Sequence, residues 1–379
     1  MSPLPRGAAR PDEAPDGHQE LAALLGAWAL GACAPGESAR VEAHLGTCRS
    51  CAAEAGRFSD AVTLLEPPRG LDMDPGLRGR VLAGCLARRP AALPLPGWAA
   101  PLDAEAARLD ALLDDMDEHE WDTPVELRWY EGGRRHGTVT TAAGMLDHLF
   151  AVDGLLARLT GLPDPLPWPG GTPPLDPAER TAARWAAPGP DARGPWREQI
   201  RALVRAAAGR EDGGDGGDGG DGDGALPDAY VGRAFACWTH ARDIAEAVDY
   251  PYGAPDGPHL RRFVDLAARR LPGSIARRRR AGDAASPARL APAGTPGRAL
   301  HLEVEGAGGG NWFIPVDMPD AAVAAAWDDK PVARVALDDV VFCQLAAGRV
   351  APDEVAAGGY GDADVIRDVL CAAAELSRL

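Results

Sequence analysis

The sequence predicts a mainly α, multidomain fold: a small helical domain, an up-and-down helical bundle and a small C-terminal α+β domain. At 379 residues the chain exceeds the roughly 100 to 200 usual for one domain. Composition breaks at PAALPLPGWAAPLD, 90–103, and again from Arg277 to about Gly297, where Arg, Ala and Pro dominate. The hydrophobic period is helical before the second break and changes after it. The expected domains are therefore 17–89, 103–276 and 298–379, with linkers at 90–102 and 277–297.

In the first domain, Leu21, Leu24, Leu25 and Trp28 recur at helical spacing, and so do Leu77, Val81, Leu82 and Cys85. Four short helices follow, at 20–33, 37–45, 49–65 and 75–88. The second domain carries longer helical patterns at about 103–119, 138–160, 195–209, 228–249 and 258–271, as a bundle requires. Between the third and fourth lies EDGGDGGDGGDGDG, 211–224. It has no apolar residue to bury and reads as a solvated loop. It lacks the closing Glu of a calcium loop and the alternating apolar residue of a calcium-binding repeat. After 298, ALHLEVEG, NWFIPVDM and PVARVALD alternate as strands do, while DDVVFCQLAAG and DADVIRDVLCAAAEL return to helical spacing.

A net charge of −17 disfavours direct nucleic-acid binding and anionic membranes. The run RRRR at 277–280 reads as part of a linker, and Arg134, Arg135 and His136 as a solvated basic turn that could also reach an anion. Seven cysteines with one tight pair point to a reducing compartment, with the cytoplasm as default. The start of the chain has neither signal-peptide nor transit-peptide order. The longest uncharged stretch, 21–36, is broken by Gly and Pro and falls short of a bilayer span, so no membrane segment is expected.

The chemistry concentrates at HLGTCRSC, 44–51, preceded by His18. A tetrahedral zinc ion needs four converging N or S donors, and C-x2-C brings two thiolates together within one turn of chain. His44 would end one helix and Cys48 and Cys51 would flank the start of the next, where a helix N-terminus favours thiolate. His18 would close the set. The alternative is that the cysteines are ordinary buried thiols and His44 is satisfied by a carbonyl. Cys33 fits no ligand position and reads as a buried thiol.

The pattern H-x25-H-x3-C-x2-C after the apolar helix LLGAWALGA resembles the zinc-binding anti-sigma factor domain over about residues 17–66, with 77–89 similar to that family's trailing helix. The resemblance implies His18, His44, Cys48 and Cys51 as zinc ligands, a sigma factor or other regulatory protein as partner, and a redox trigger at the Cys pair.

In the bundle, MLDHLFAVDGLLARL and FACWTHARDIAEAV place His148 and His240 on separate helices. They resemble the D-x-HL and W-x-H-x-x-D-I motifs of the mycothiol-dependent maleylpyruvate isomerase family, whose amino-terminal domain is a DinB-like metal-binding bundle; the likeness covers about 103–275. The C-terminal segment looks like that family's small C-terminal domain. The resemblance implies a second divalent metal at His148 and His240, and a small thiol, mycothiol, as cofactor. Its Glu-x3-His pair is broken, since Ala236 stands four residues before His240, and its Pro-Cys-x-Gly-Trp stretch is replaced by VELRWYEGGRRHGTV. Asp243 and Asp147 are candidate orienting acceptors. A pair of hydrogen-bonded core histidines is the other reading. The functional expectation is a zinc-binding regulatory or redox-sensing protein. Two others stay open: a mycothiol-dependent transferase or isomerase, and a zinc-stapled structural protein.

Overall fold

The computed structural model describes residues 17–65, 78–79, 81–82, 85, 94–166, 168, 171, 173–187, 191–210, 225–285, 290–291, 297–318, 321–327 and 329–377. The acidic glycine run at 211–224, the leader, most of the expected trailing helix and residues 90–93 of the expected first linker lie outside them; Trp98, Ala99 and Leu102 of that expected linker are buried in the core of the second unit. The chain divides into two compact units, 1–84 and 85–379. Its described elements are mainly helical, with two small sheets. No described helix is long and apolar enough to cross a membrane.

The first unit holds α1 (His18–Ala29), α2 (Pro35–Leu45) and α3 (Arg49–Leu65). Pro35 opens α2, and Glu37 accepts a hydrogen bond from the Ala34 amide at 3.0 Å, which satisfies an otherwise orphaned donor. The core is Leu25, Val41, Cys51 and Ala55, one or two residues from each helix.

The second unit begins with α4 (Ala100–Asp115), a hairpin of β1 (Pro124–Glu131) and β2 (Arg134–Thr141), and α5 (Ala142–Leu159). It continues with α6 (Pro177–Ala186), α7 (Arg193–Ala207), α8 (Ala225–Ala247) and α9 (Gly257–Ala281). Then come β3 (Ala299–Glu305), β4 (Gly310–Pro315), β5 (Ala333–Asp338), α10 (Asp339–Ala346), β6 (Gly358–Gly361) and α11 (Ala363–Ala374). The four strands pair in the order β4-β3-β5-β6, with β3 and β5 parallel and the outer pairs antiparallel. Asp176, Asp256, Asp338 and Asp362 cap α6, α9, α10 and α11 through carboxylates that accept first-turn amides. One continuous core runs from Trp98 to Leu376, through both helices and sheet.

Three expectations are corrected. The stretch 124–141, read as a basic turn and a helix start, is the β1–β2 hairpin, with Gly132 and Gly133 at positive φ (58° and 70°) between the strands. His136 lies on β2 and stacks on Trp129 at 5.9 Å. Residues 277–281, expected to begin a linker, are the last turn of α9, which ends at Gly282 with φ 83°. One of its charges is spent internally: Arg278 is buried, pairs with Glu375 and donates to Asp283 O at 2.8 Å, while Arg277 and Arg280 are exposed. Helix α6 was not expected, although Asp176-Pro177 is a helix-start signal.

Glu105 on α4 is 1% exposed, and burial pushes its carboxyl up to about 7 against the opposing pull of Arg108, 2.8 Å away. A folded-state value above the unfolded one contributes stability below about pH 4.3, and this is lost as pH rises through about 7. Ionised Glu105 then costs about 4 kcal/mol. Glu105→Gln should therefore be more stable than wild type at pH 8, with the advantage shrinking toward pH 5, as read from urea midpoints at both pH values.

Candidate metal centre

His18 is the first residue of α1, His44 lies in the last turn of α2, Cys48 sits just before α3 and Cys51 in its first turn. The connection between α2 and α3 is held by its own backbone. The amides of Thr47 and Cys48 both donate to His44 O, at 3.0 and 2.9 Å, and the Ala52 amide donates to Cys48 O at 3.0 Å. This turn aims His44, Cys48 and Cys51 to one side, where α1 brings His18.

The four donors lie within 4.8 Å of one another, the only such grouping of three or more among the described residues. His18 Nδ1 is 3.2 Å from His44 Nε2, 3.8 Å from Cys48 Sγ and 3.9 Å from Cys51 Sγ. A tetrahedral zinc, with about 2.0 Å to nitrogen and about 2.3 Å to sulfur, has N–N edges of about 3.3 Å and N–S edges of about 3.5 Å. A single hydrogen bond accounts for the histidine pair, but not for two thiols converging on the same nitrogen. The donor set therefore fits a zinc ion.

The two thiols differ. The Ser50 hydroxyl, 3.2 Å away, and the Cys51 amide pull Cys48 down to about 6, so it is largely thiolate at neutral pH. Cys51 is 3% exposed, and burial followed by the neighbouring Cys48 thiolate pushes it up. Cys33 lies outside the cluster, its thiol 3.9 Å from Leu24 O.

Residues 19–52 match the family model described as Putative zinc-finger. The matched segment contains His44, Cys48 and Cys51, and begins one residue after His18. No curated protein and no solved structure matches the chain.

The other two candidate histidines, His148 and His240, also meet. His148 on α5 and His240 on α8 have ring centroids 5.0 Å apart at an interplanar angle of 86°. His148 Nδ1 is 2.8 Å from Thr181 Oγ1 of α6, and His240 Nδ1 is 3.1 Å from Asp243 Oδ2. Burial pushes both rings below the usual imidazole range, so both are neutral at pH 7. Asp147 turns away to Arg184 at 2.7 Å. Thr181 and Arg349 were not anticipated as neighbours of this pair. Arg349 stands 109 residues beyond His240, and nothing local in the sequence joins them.

In metal-free reduced protein, alkylation of Cys48 by iodoacetamide should rise with a midpoint near pH 6, while Cys51 should react only at higher pH. Site-resolved mass spectrometry across pH 5 to 10 checks this; equal midpoints would contradict it.

Proposed function

We propose that the chain is a zinc-dependent regulatory protein, in which the first unit holds one zinc ion through His18, His44, Cys48 and Cys51 and engages a protein partner. The carrying observation is the convergence of two imidazoles and two thiols within 4.8 Å, at edge lengths close to those of tetrahedral zinc. The match of residues 19–52 to a zinc-finger family supports it independently. His18 and His44 would act as neutral ligands and Cys48 and Cys51 as thiolates, so loading releases protons and tightens as pH rises.

By its likeness to anti-sigma domains, the partner is a sigma factor and the control is redox. Oxidation joins Cys48 and Cys51 in a disulfide. The two electrons pass to an oxidant such as hydrogen peroxide, which leaves as water, and two of the four zinc ligands are lost. The helices that the metal ties together are then free to reorganise, which would release the partner.

Elemental analysis of reduced protein should return one zinc per chain, and none in a Cys48→Ser, Cys51→Ser variant. Peroxide should release that zinc with one new disulfide per chain, and co-elution with a sigma factor from the same genome should be lost with it. A wild-type chain without zinc would end this reading, and zinc retained after full oxidation would end the switch.

A further inference from the structure

The residues around the bundle histidines do not fit a metal ion. A catalytic zinc takes three protein ligands and keeps a fourth position open. Here two imidazoles are available, and Ala236, one turn before His240 on α8, offers no donor atom. Each nearby carboxylate is already engaged. Asp147 pairs with Arg184 at 2.7 Å. Asp153 takes Arg233 Nε at 2.6 Å and Trp196 Nε1 at 3.2 Å. Asp243 takes Arg349 and His240.

The ring protons are fixed as well. Thr181 Oγ1 gives its proton to Pro177 O at 2.8 Å, so it accepts from His148 Nδ1. His240 Nδ1 faces an ionised carboxylate and donates to it. Burial acts upward on Asp243, yet Arg349 and His240 together hold its carboxyl below the usual range.

Arg349, just beyond α10, spends its donors in one place. Nε donates to Asp243 Oδ1 at 2.9 Å, and one terminal nitrogen donates to Arg128 O and Ala347 O, both at 2.6 Å. The other terminal nitrogen meets Asp243 Oδ2 and lies 3.3 Å from His240 Nδ1. Its side chain is 12% exposed. A divalent ion between the rings would stand close to this fixed guanidinium, with no spare carboxylate to offset either charge.

We infer that the His148–His240 pair is not a metal centre, and that Arg349 is the cation around which this site is built. Through Asp243 and Arg128 O it ties the segment after α10 and strand β1 to helix α8. The fork geometry matters as much as the charge, since two parallel N–H donors meet one carboxylate.

The test is a cobalt titration of the full chain, read by visible absorption and elemental analysis, on wild type, Cys48→Ser with Cys51→Ser, and His148→Ala with His240→Ala. The bundle should contribute no equivalent: whatever wild type binds should survive in the histidine variant. A metal equivalent lost with His148 and His240 would overturn the inference. This outcome is independent of the zinc proposal, which is read only from the cysteine variant.

The lock is tested by thermal unfolding. Arg349→Ala should lower the melting temperature of the second unit by about 5 °C or more, and Arg349→Lys should recover less than half of that loss. Hydrogen exchange should rise at β1. If Arg349→Ala does not fold, Arg349→Lys and Asp243→Asn carry the comparison. Unchanged melting and exchange in these variants would refute the lock.

Discussion

Leu25, Val41, Cys51 and Ala55 are all that the first unit buries fully among its described apolar residues. Three helices around so small a core gain little from apolar burial against the entropy of ordering their chain. The meeting of His18, His44, Cys48 and Cys51 is therefore the interaction on which the rest of that unit depends. A metal bound there would supply folding free energy that so small a core lacks, because no preformed site exists in the unfolded chain. Cys51 belongs to both sets, a buried core residue and a candidate ligand. The same residue thus links the packing of α3 to the state of the centre.

The second unit solves the opposite problem. Its core is large, and its difficulty is charge carried into it. Arg180, fully buried, donates to Ala151 O at 2.6 Å and to Asp164 at 2.8 Å, and lies 4.5 Å from the Trp168 ring. Arg233, Arg278 and Arg349 are likewise each held by a carboxylate. Guanidinium suits such places, since its planar fork distributes donors over several acceptors and is weakly hydrated. Gly154 shows how closely these groups are packed. A Cβ there would come within 2.1 Å of the Arg180 guanidinium.

The candidate centre was legible in the sequence because all its donors fall between His18 and Cys51 and three of them share one turn of chain. Short-range chemistry leaves a pattern that spacing can carry. The mainly helical character was legible for the same reason, since amphipathic periods repeat along α1, α7 and α11. The β1–β2 hairpin was missed although Gly132-Gly133 is a two-residue turn signal between β-prone runs. The burial of Arg278 at the end of a helix was missed because its partner Glu375 lies 97 residues further along the chain. Arg349 at the bundle histidines was hidden in the same way: its partners are set by tertiary packing, and no local rule relates them.

Helix α9 runs unbroken from Gly257 to Ala281; Arg261 and Asp265 in its first half meet Gly309 and Trp312 of the sheet, and Ser274 and Arg278 in its second half meet Ala372 and Glu375 at the C-terminal end of α11. It belongs to both layers of the second unit. The consequence concerns where the gene for such a protein could be cut or shuffled. An exchange near residue 280 would leave one fragment with Arg278 buried against nothing and the other with Glu375 and the Ala372 carbonyl stripped of their donors. The helices and the sheet of the second unit are thus a single heritable piece, and the boundary between the two units, at 84–85, is the less disruptive place to separate modules.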